Sequence, residues 1–311
     1  MRIYMEITSK KESSIIRKIK SEKLGDISVS DLGQIIVTNN QITKSKEMQL
    51  VKKLKNIEGV LDVVLINPHL KKKDVLASAA FRSNRCIFFF DIDSTLTQGI
   101  PGTIHPKIEP IFQKIKNKGI YILFATGRSM PDLCEIIKEY PVSKYAIAEN
   151  GGIILGFGRK GYHEFGHKEE PAKVLTYLQR KYQTREDMEQ DIRLTEVIFL
   201  QSDVTRKQLN EAINEEDASV EIQASANAYH ISEKGINKGT AMIELCKRVH
   251  LGDRMIISVG DSDMDIPMLE KADYSFAVGN ASLGAKKTAK KVLKGKFEKG
   301  IDEIFQLINR V

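Results

Sequence analysis

The chain has 311 residues, of which 41% are hydrophobic, and this length predicts two or three folded domains rather than one. Its formal net charge is +7, and its three cysteines show no metal-ligand spacing, which indicates buried thiols in a reducing compartment rather than a disulfide framework. The amino terminus lacks the pattern of a signal peptide, and no apolar run approaches the roughly 20 residues that span a bilayer, so we expect a cytoplasmic protein without membrane contact.

Residues 1–68 have the pattern of one small domain. The predicted elements follow the order βαββαβ of a ferredoxin-like sandwich: strand 2–7, helix 11–22, strand 26–30, strand 34–38, helix 44–56 and strand 61–66. The stretch 54–64 resembles the tail of an ACT-type module, which implies a small-molecule effector or the pairing of subunits. The exposed sheet edge of such a sandwich favours a homodimer. Residues 69–84, which show little periodicity, form the predicted linker.

The first candidate for chemistry is a pair of aspartates, Asp91 and Asp93, directly after the apolar run 87–90. Alternate residues of a strand point to opposite faces, so the two side chains share a site only if the chain turns after Asp91. Ser94 and Thr95 suit such a turn. Carboxylates that are buried at a strand end need a metal ion or hydrogen-bond donors.

These aspartates admit three interpretations: a capped strand end, a calcium-binding loop, or phosphoryl transfer to a carboxylate. The calcium loop fails because the glycine and the glutamate that it requires are absent. In phosphoryl transfer, Asp91 attacks phosphorus and Asp93 handles the proton of the leaving group. The residues alone leave the capped strand end and phosphoryl transfer open.

A second strand-like run, 256–259, ends in a further acidic cluster formed by Asp261, Asp263 and Asp265. The calcium loop fails here as well. A magnesium site between neighbouring parallel strands requires two strand ends that carry carboxylates, since Mg²⁺ takes one or two carboxylates together with waters and substrate phosphate. The sequence therefore predicts Mg²⁺ as the cofactor.

Two segments between these acidic sites are candidates for binding phosphate. The strand-like run 121–125 ends in Thr126, Gly127 and Arg128, where a hydroxyl and exposed backbone N–H groups suit a phosphate. Taken alone, this segment is more typical of an ordinary strand-to-helix turn. Lys238 opens a helical pattern and is a candidate charge clamp on a phosphoryl group, although a lysine in a first helical turn is usually solvated.

In their order along the chain, these four segments resemble the motifs of the haloacid dehalogenase-like hydrolase superfamily, from about residue 85 to the carboxyl terminus. The matching residues are Asp91-x-Asp93-x-Thr95 for the first motif, Thr126 for the second, Lys238 for the third, and Gly260-Asp261-x-x-x-Asp265 for the fourth. The interval between the first two motifs is too short for a cap domain, whereas the interval between the second and third has room for one. The chain thus resembles the class with its cap after the second motif, and within it the archaeal-type phosphoglycolate phosphatases.

The resemblance implies an α/β fold with three parts. These are a doubly wound parallel-sheet hydrolase core at 85–156 and 235–311, a small inserted α/β cap at 157–234, and the N-terminal ferredoxin-like domain at 1–68. The cap pattern itself predicts a helix from Pro171, a strand at 197–200, a helix around 208–213 and paired strands at 220–223 and 229–231.

The resemblance also implies roles for single residues. The predicted catalytic groups are Asp91 as nucleophile, Asp93 as general acid and base, Thr126 and Lys238. The residues predicted to hold or support Mg²⁺ are Asp91, Asp93 through its backbone carbonyl, Asp261 and Asp265. The predicted substrate contacts are Thr95, Gly127, Arg128 and Lys238.

The implied reaction is magnesium-dependent hydrolysis of a small organic phosphate monoester through an aspartyl-phosphate, with phosphoglycolate as the first candidate among small phosphorylated metabolites. A phosphoserine phosphatase, suggested by Ser94, or a sugar-phosphate phosphatase stays open. A non-catalytic ligand-sensing regulator also stays open, because Met264 stands where the family usually has an asparagine.

Two further groups of residues admit a functional and an ordinary interpretation. Basic residues concentrate in 1–80 and again in 286–296, where a solvated surface is favoured over nucleic-acid binding. His163, His167 and His230 lie in the predicted cap, where they could meet a substrate, but a lone histidine is more often structural.

Overall fold

The computed structural model describes residues 2–7, 12–21, 26–29, 35–38, 49–50, 52–54, 56–57, 60–66, 86–98, 102–184, 192–225, 227–251 and 254–309. The chain divides into two compact units. The first comprises Met1–Cys86, Asp253–Met255 and Phe305–Val311, and the second comprises Ile87–Gly252 and Ile256–Ile304. No helix in the described ranges is both long enough and apolar enough to cross a membrane.

The first unit contains a four-stranded antiparallel sheet. Its elements are β1 (Arg2–Ile7), α1 (Glu12–Ser21), β2 (Asp26–Val29), β3 (Ile35–Thr38) and β4 (Val60–Ile66). The strands lie in the order β2-β3-β1-β4, and α1 buries Ile15 and Ile19, which share one helix face. The predicted helix 44–56 is described only in part and the predicted linker 69–84 lies outside the described residues, so the ferredoxin-like sandwich stays a prediction.

From residue 86 onward, strands and helices alternate along much of the chain. The elements are β5 (Cys86–Phe90), α2 (Glu109–Lys116), β6 (Tyr121–Phe124), α3 (Met130–Glu139), β7 (Ala146–Ala148), β8 (Ile153–Leu155), β9 (Tyr162–Glu164), α4 (Glu169–Tyr182), β10 (Glu196–Leu200), α5 (Arg206–Glu215), β11 (Val220–Ala224), β12 (Ala228–Glu233), α6 (Lys238–Arg248), β13 (Met255–Gly260), α7 (Ile266–Lys271), β14 (Tyr274–Ala277), α8 (Leu283–Thr288), β15 (Lys291–Val292) and α9 (Glu298–Asn309).

A five-stranded sheet in the order β15-β14-β13-β5-β6 forms the centre of this part of the chain. The pairs β5–β6, β13–β14 and β14–β15 are parallel. All five residues of β5 are buried, as expected for a strand of a parallel sheet that is covered on both faces. Ala241, Met242 and Leu245 of α6 pack in one core cluster with Ile87 and Phe89 of β5. The predicted α/β fold with a parallel sheet is confirmed.

The described residues of 169–184, 192–225 and 227–233 form a separate layer of two helices on an antiparallel sheet. The sheet has the order β10-β12-β11, and α4 and α5 pack against it through a core cluster that includes Val174, Leu178, Leu209 and Ile231. All the elements that the sequence pattern predicts for this segment are present, so those predictions are confirmed. One further sheet, β7-β8-β9, is antiparallel and is formed by the three strands that follow α3 along the chain.

Candidate active site

The carboxyl ends of β5 and β13 meet at one edge of the central sheet. The backbone N–H of Asp91 donates to the carbonyl of Val259 at 2.9 Å, which holds the two strand ends side by side. Residues 93–96 form the turn that the sequence predicts after Asp91. Within this turn Ser94 has a φ of 61°. Because of this turn, Asp91 and Asp93 line the same cavity, whose volume is about 570 Å³.

The start of α6 places Lys238 inside the protein. The side chain of Asn237 accepts hydrogen bonds from the N–H groups of Gly239 at 3.1 Å and Thr240 at 3.0 Å, which caps the helix. A Cβ at Gly239 would lie 2.2 Å from the carbonyl oxygen of Pro267, so only glycine permits this close approach of α6 and α7. Lys238 is 2% exposed as a result, and the solvated interpretation of this lysine does not apply.

The buried ammonium group of Lys238 is shared by two carboxylates. Its Nζ donates to Asp91 Oδ1 and to Asp265 Oδ1, both at 2.7 Å. Burial alone would lower the pKa of Lys238, but the two negative charges outweigh burial and raise that pKa above its ordinary value. The lysine is therefore a fixed positive charge beside Asp91.

Asp265 fixes the loop that follows β13. Its Oδ2 accepts from the backbone N–H groups of Asp261 and Ser262, both at 2.9 Å, and from the hydroxyl of Ser262 at 3.0 Å. With Lys238 on its other oxygen, this fully buried carboxylate has donors on both sides. Asp265 thus fixes the positions of the Lys238 side chain and of the Asp261 backbone.

Asp91, Asp261 and Asp265 each bring a carboxylate oxygen to within 4.8 Å of the others. Burial, and then the charge of Asp265, raises the pKa of Asp91 well above its ordinary value in spite of Lys238. The same two causes raise the pKa of Asp261 to about 7. The cluster contains three carboxylates, and Lys238, which pairs with two of them, is the cation that contacts it in the described residues, so the cluster lacks positive charge. Carboxylate oxygens are the ligands that Mg²⁺ prefers, and the residues present therefore fit a Mg²⁺ ion at Asp91 and Asp261.

The sequence profile of the haloacid dehalogenase-like hydrolases matches residues 88–164 and 158–305, which include all four predicted motifs. The chain belongs to the haloacid dehalogenase-like hydrolase family. The prediction of an enzyme of the phosphoric monoester hydrolase class is confirmed. Residues 1–87 lie outside the matched range.

Individual similar proteins agree with this membership. Phosphoglycolate phosphatase of Nitrosopumilus maritimus (strain SCM1) is 32% identical over 202 residues, which are 65% of this chain and 87% of that protein. A crystal structure of a Thermoplasma acidophilum protein has a TM-score of 0.63 at 21% identity and covers 73% of this chain and 99% of that one. A subclass IIB sugar phosphatase of the superfamily has a TM-score of 0.57 at 20% identity, with 72% and 98% covered. The two structures show the same fold.

In this hydrolase the second aspartate of the first motif is held by an arginine. Arg128 donates from Nε to Asp93 Oδ2 at 2.8 Å and from Nη2 to Asp93 Oδ1 at 2.6 Å, a two-pronged ion pair. The same Nη2 donates to the carbonyl of Gly102 at 2.6 Å. Asp93 raises the pKa of Arg128 although burial opposes it. Arg128 therefore fixes the orientation of Asp93 at the cavity.

The other predicted contact residues divide into two groups. Gly127 and Arg128 line the cavity, as does Met264. Thr95 and Thr126 are fully buried: the Thr95 hydroxyl donates to Asp261 Oδ1 at 3.0 Å, and the Thr126 hydroxyl accepts from the N–H of Arg128 at 3.1 Å. The two threonines thus stabilise the motif loops through these hydrogen bonds. Direct substrate contact by Thr95 stays a prediction.

A buried polar network that the sequence did not predict begins at Glu149. This residue has a φ of 49° and is fully buried, and its carboxylate accepts from the N–H groups of Leu194 and Thr195 and from the Thr195 hydroxyl at 2.7 Å. Burial raises its pKa, against these hydrogen bonds. Glu149 thereby ties the segment before β10 to the core of the hydrolase.

The same network continues into β10 and β12. Arg193 Nη1 donates to the carbonyl of Gly127 at 2.8 Å and to Glu196 Oε1. Asn150 Nδ2 donates to Glu196 Oε2 at 3.0 Å, and His230 Nδ1 lies 3.3 Å from the same oxygen. Local spacing in the sequence does not predict this cluster, because its members come from four separate segments and meet only in the folded chain.

Removal of Mg²⁺ should cost more stability at pH 8 than at pH 5. Asp261 has an ordinary pKa of 3.8 and a pKa of about 7 in the folded, metal-free protein. Between these values the folded state binds more protons than the unfolded state, so the stability of the metal-free protein falls as the pH rises from about 4 to about 7. With Mg²⁺ held at about 100 times the dissociation constant that applies at pH 8, we expect Tm to rise by about 5–10 °C at pH 8 and by much less at pH 5, where protonation of Asp261 weakens the binding of Mg²⁺.

Asp261→Asn is the matched variant for this titration. It removes a charge that burial and Asp265 disfavour, so Tm of the metal-free protein should rise at pH 8 and should no longer respond to Mg²⁺. Thermal unfolding followed by circular dichroism at both pH values measures these shifts. Equal responses to Mg²⁺ at pH 5 and pH 8 in the unaltered protein would contradict the assignment.

Proposed function

We propose that the protein is a magnesium-dependent phosphatase that hydrolyses a small organic phosphate monoester through an aspartyl-phosphate, with phosphoglycolate as the preferred substrate. The observation that carries this proposal is a buried carboxylate, Asp91, that is paired with Lys238 and lines a cavity. A carboxylate that only caps a strand needs neither a lysine nor a cavity. Phosphoryl transfer needs both, because fixed positive charge lets an anionic nucleophile approach an anionic phosphate.

In the first step, a carboxylate oxygen of Asp91 attacks phosphorus and forms the aspartyl-phosphate as the bond to the leaving oxygen breaks. Asp93 gives its proton to that oxygen, so the leaving group departs as an alcohol. Lys238 neutralises part of the negative charge on the phosphoryl oxygens. Arg128 donates to both oxygens of Asp93, so this contact must loosen when Asp93 carries the proton that it transfers.

In the second step, Asp93 is a carboxylate and is ready to act as a base. It takes a proton from a water molecule whose oxygen attacks phosphorus, the bond to Asp91 breaks, and inorganic phosphate leaves. At this stage Arg128 can donate to both oxygens of the Asp93 carboxylate, through the bidentate contact. The pair of Asp93 and Arg128 thus matches the state of the enzyme between the two steps, after the alcohol has left and before water attacks.

Mg²⁺ would be held by the carboxylates of Asp91 and Asp261 and by the backbone carbonyl of Asp93, and when bound it supplies positive charge to the phosphoryl oxygens. Asp265 and Thr95 act on this site through Asp261, because they bind its backbone and its side chain respectively. The network therefore sets the position of the metal ligands independently of substrate.

The size of the cavity and the similar proteins support a small substrate. A volume of about 570 Å³ lies within the range of small-molecule sites. Eight similar proteins, 25–32% identical to this chain, are phosphoglycolate phosphatases. A sugar phosphate is the second candidate, since the same volume also accommodates a monosaccharide. Phosphoserine is disfavoured, because the described cap residues that line the cavity include no carboxylate for its ammonium group.

Phosphate release from a panel of esters tests this proposal. The panel contains phosphoglycolate, phosphoserine and several sugar phosphates, each with Mg²⁺ and with a chelator. We expect release only with Mg²⁺ and a kcat/KM for phosphoglycolate at least about tenfold above the other esters. No release from any ester by folded, Mg²⁺-loaded protein would overturn the proposed function, and a preferred sugar phosphate would overturn the substrate.

We extend the proposal to the layout of the chain. Residues 85–156 and 235–311 form the hydrolase core, 157–234 form the cap that covers the cavity, and 69–84 link them to the N-terminal domain. That domain, 1–68, is ACT-like, binds a small-molecule effector and pairs two chains as a homodimer in the cytoplasm. The four-stranded antiparallel sheet of the first unit supports this assignment.

A further inference from the structure

The part of the cavity wall that comes from the cap carries positive charge or no charge among the described residues. It consists of three apolar side chains, two neutral polar ones, Arg193 and His230. Arg193 is 5% exposed and its guanidinium is engaged with Glu196 and with the carbonyl of Gly127. His230 is therefore the cap residue best placed to present an N–H donor to a ligand.

A buried carboxylate holds the ring of His230. Glu196 is fully buried and accepts from Arg193 on one oxygen and from Asn150 and His230 on the other. Burial would raise the pKa of Glu196, but the charges of His230 and Arg193 outweigh burial and hold that pKa at about 2. Glu196 is thus ionised at neutral pH. An ionised carboxylate on one ring nitrogen orients an imidazole.

The orientation of the ring leaves Nε2 for the cavity. The Nδ1 atom faces Glu196 Oε2 and Asn150 Nδ2, and Nε2 has no hydrogen-bond partner in the described part of the chain. The protonated ring donates through Nδ1 to Glu196 and presents a second N–H at Nε2. A neutral ring that accepts from Asn150 at Nδ1 also carries its proton on Nε2. Both forms offer a donor to a ligand in the cavity.

We infer that His230, held by Glu196, binds the carboxylate of the leaving group and so selects phosphate esters of hydroxy acids over those of neutral alcohols. This inference rests on the proposed phosphatase function. His230 is buried, and a charge-assisted hydrogen bond from a buried donor is strong enough to discriminate between such esters. Arg193 joins Glu196 to the carbonyl of Gly127, so the ring is anchored to the loop of the second motif. The network thereby fixes His230 relative to the site of phosphoryl transfer.

Two substitutions at this position separate the two ring nitrogens. His230→Asn keeps an amide near Nδ1 and removes the group at Nε2, whereas His230→Gln places an amide near Nε2. The measurement is the ratio of kcat/KM for phosphoglycolate to kcat/KM for 2-hydroxyethyl phosphate, which has a hydroxymethyl group in place of the carboxylate. We expect His230→Asn to lower this ratio by about 10- to 100-fold, mainly through KM, and His230→Gln to retain part of it. His163→Asn, outside the cavity wall, is the matched control and should leave the ratio unchanged.

A readout without turnover separates this inference from the proposed function. The ring C–H resonances of His230, assigned by their loss in His230→Asn, should shift when glycolate is added and should not shift with ethylene glycol. Turnover of phosphoglycolate with an unchanged ratio in His230→Asn would overturn the inference and leave the phosphatase intact. Absence of turnover would overturn the phosphatase, and absence of the glycolate shift in that protein would overturn the inference as well.

Discussion

Asp91→Asn should lower Mg²⁺-dependent phosphate release by at least about 10⁴-fold while the protein stays folded. The amide cannot attack phosphorus as a carboxylate does, and no other carboxylate of the described site holds the same position at the end of β5. Stability should change little, because the substitution removes a charge that burial and Asp265 disfavour, and Lys238 keeps Asp265 as a partner. Phosphate release under saturating substrate, together with Tm, measures both effects.

Asp132→Asn is a matched control for this loss, because Asp132 lines the same cavity and its carboxylate accepts from the Ser129 hydroxyl at 2.7 Å. We expect it to retain activity within about threefold. Mass spectrometry of acid-quenched enzyme should find phosphorylation on the peptide that contains Asp91 in the unaltered protein and not in the variant. More than about 1% residual activity in both Asp91→Asn and Asp91→Ala would exclude Asp91 as the nucleophile.

Asp93→Asn should lower turnover of phosphoglycolate by roughly 10²–10⁴-fold, because the leaving alkoxide then has no proton donor. The first step should be affected much less with p-nitrophenyl phosphate, whose leaving group is stable as an anion. The second step also needs Asp93, as the base for water. The variant should therefore release about one p-nitrophenolate per active site in a rapid burst and then continue slowly as the aspartyl-phosphate accumulates. Rapid-mixing absorbance measures the burst.

Arg128→Met distinguishes loss of the proton carrier from loss of its orientation. The variant keeps the Asp93 carboxylate but removes the two hydrogen bonds that hold it. We expect a smaller loss, about tenfold, with either ester and without a burst. An equal loss for Asp93→Asn with both esters and no burst would contradict the role of Asp93 as the proton donor.

The strand ends of the site could be predicted from local sequence, because at each of them the residues change abruptly from apolar to polar. A fully apolar run stabilises a strand in a covered parallel sheet, and the first carboxylate after it must lie at the edge where water, donors or a cation can reach it. That reasoning placed Asp91 and Asp261 correctly at neighbouring strand ends. The turn after Asp91 was likewise indicated by Ser94 and Thr95, which follow it, whereas the left-handed φ of Ser94 was not.

The sequence thus predicts the α/β class through the resemblance that its four motifs carry, because each motif depends only on residues close together in the chain. The inward orientation of Lys238 depends on the tertiary fold, because it needs the close contact of Gly239 with Pro267. The tertiary fold also decided that Thr95 binds Asp261 and that Glu196 joins Arg193 to His230. Such buried polar partners are selected by where the folded backbone brings them, and no local pattern encodes a hydrogen bond between residues on different strands and loops.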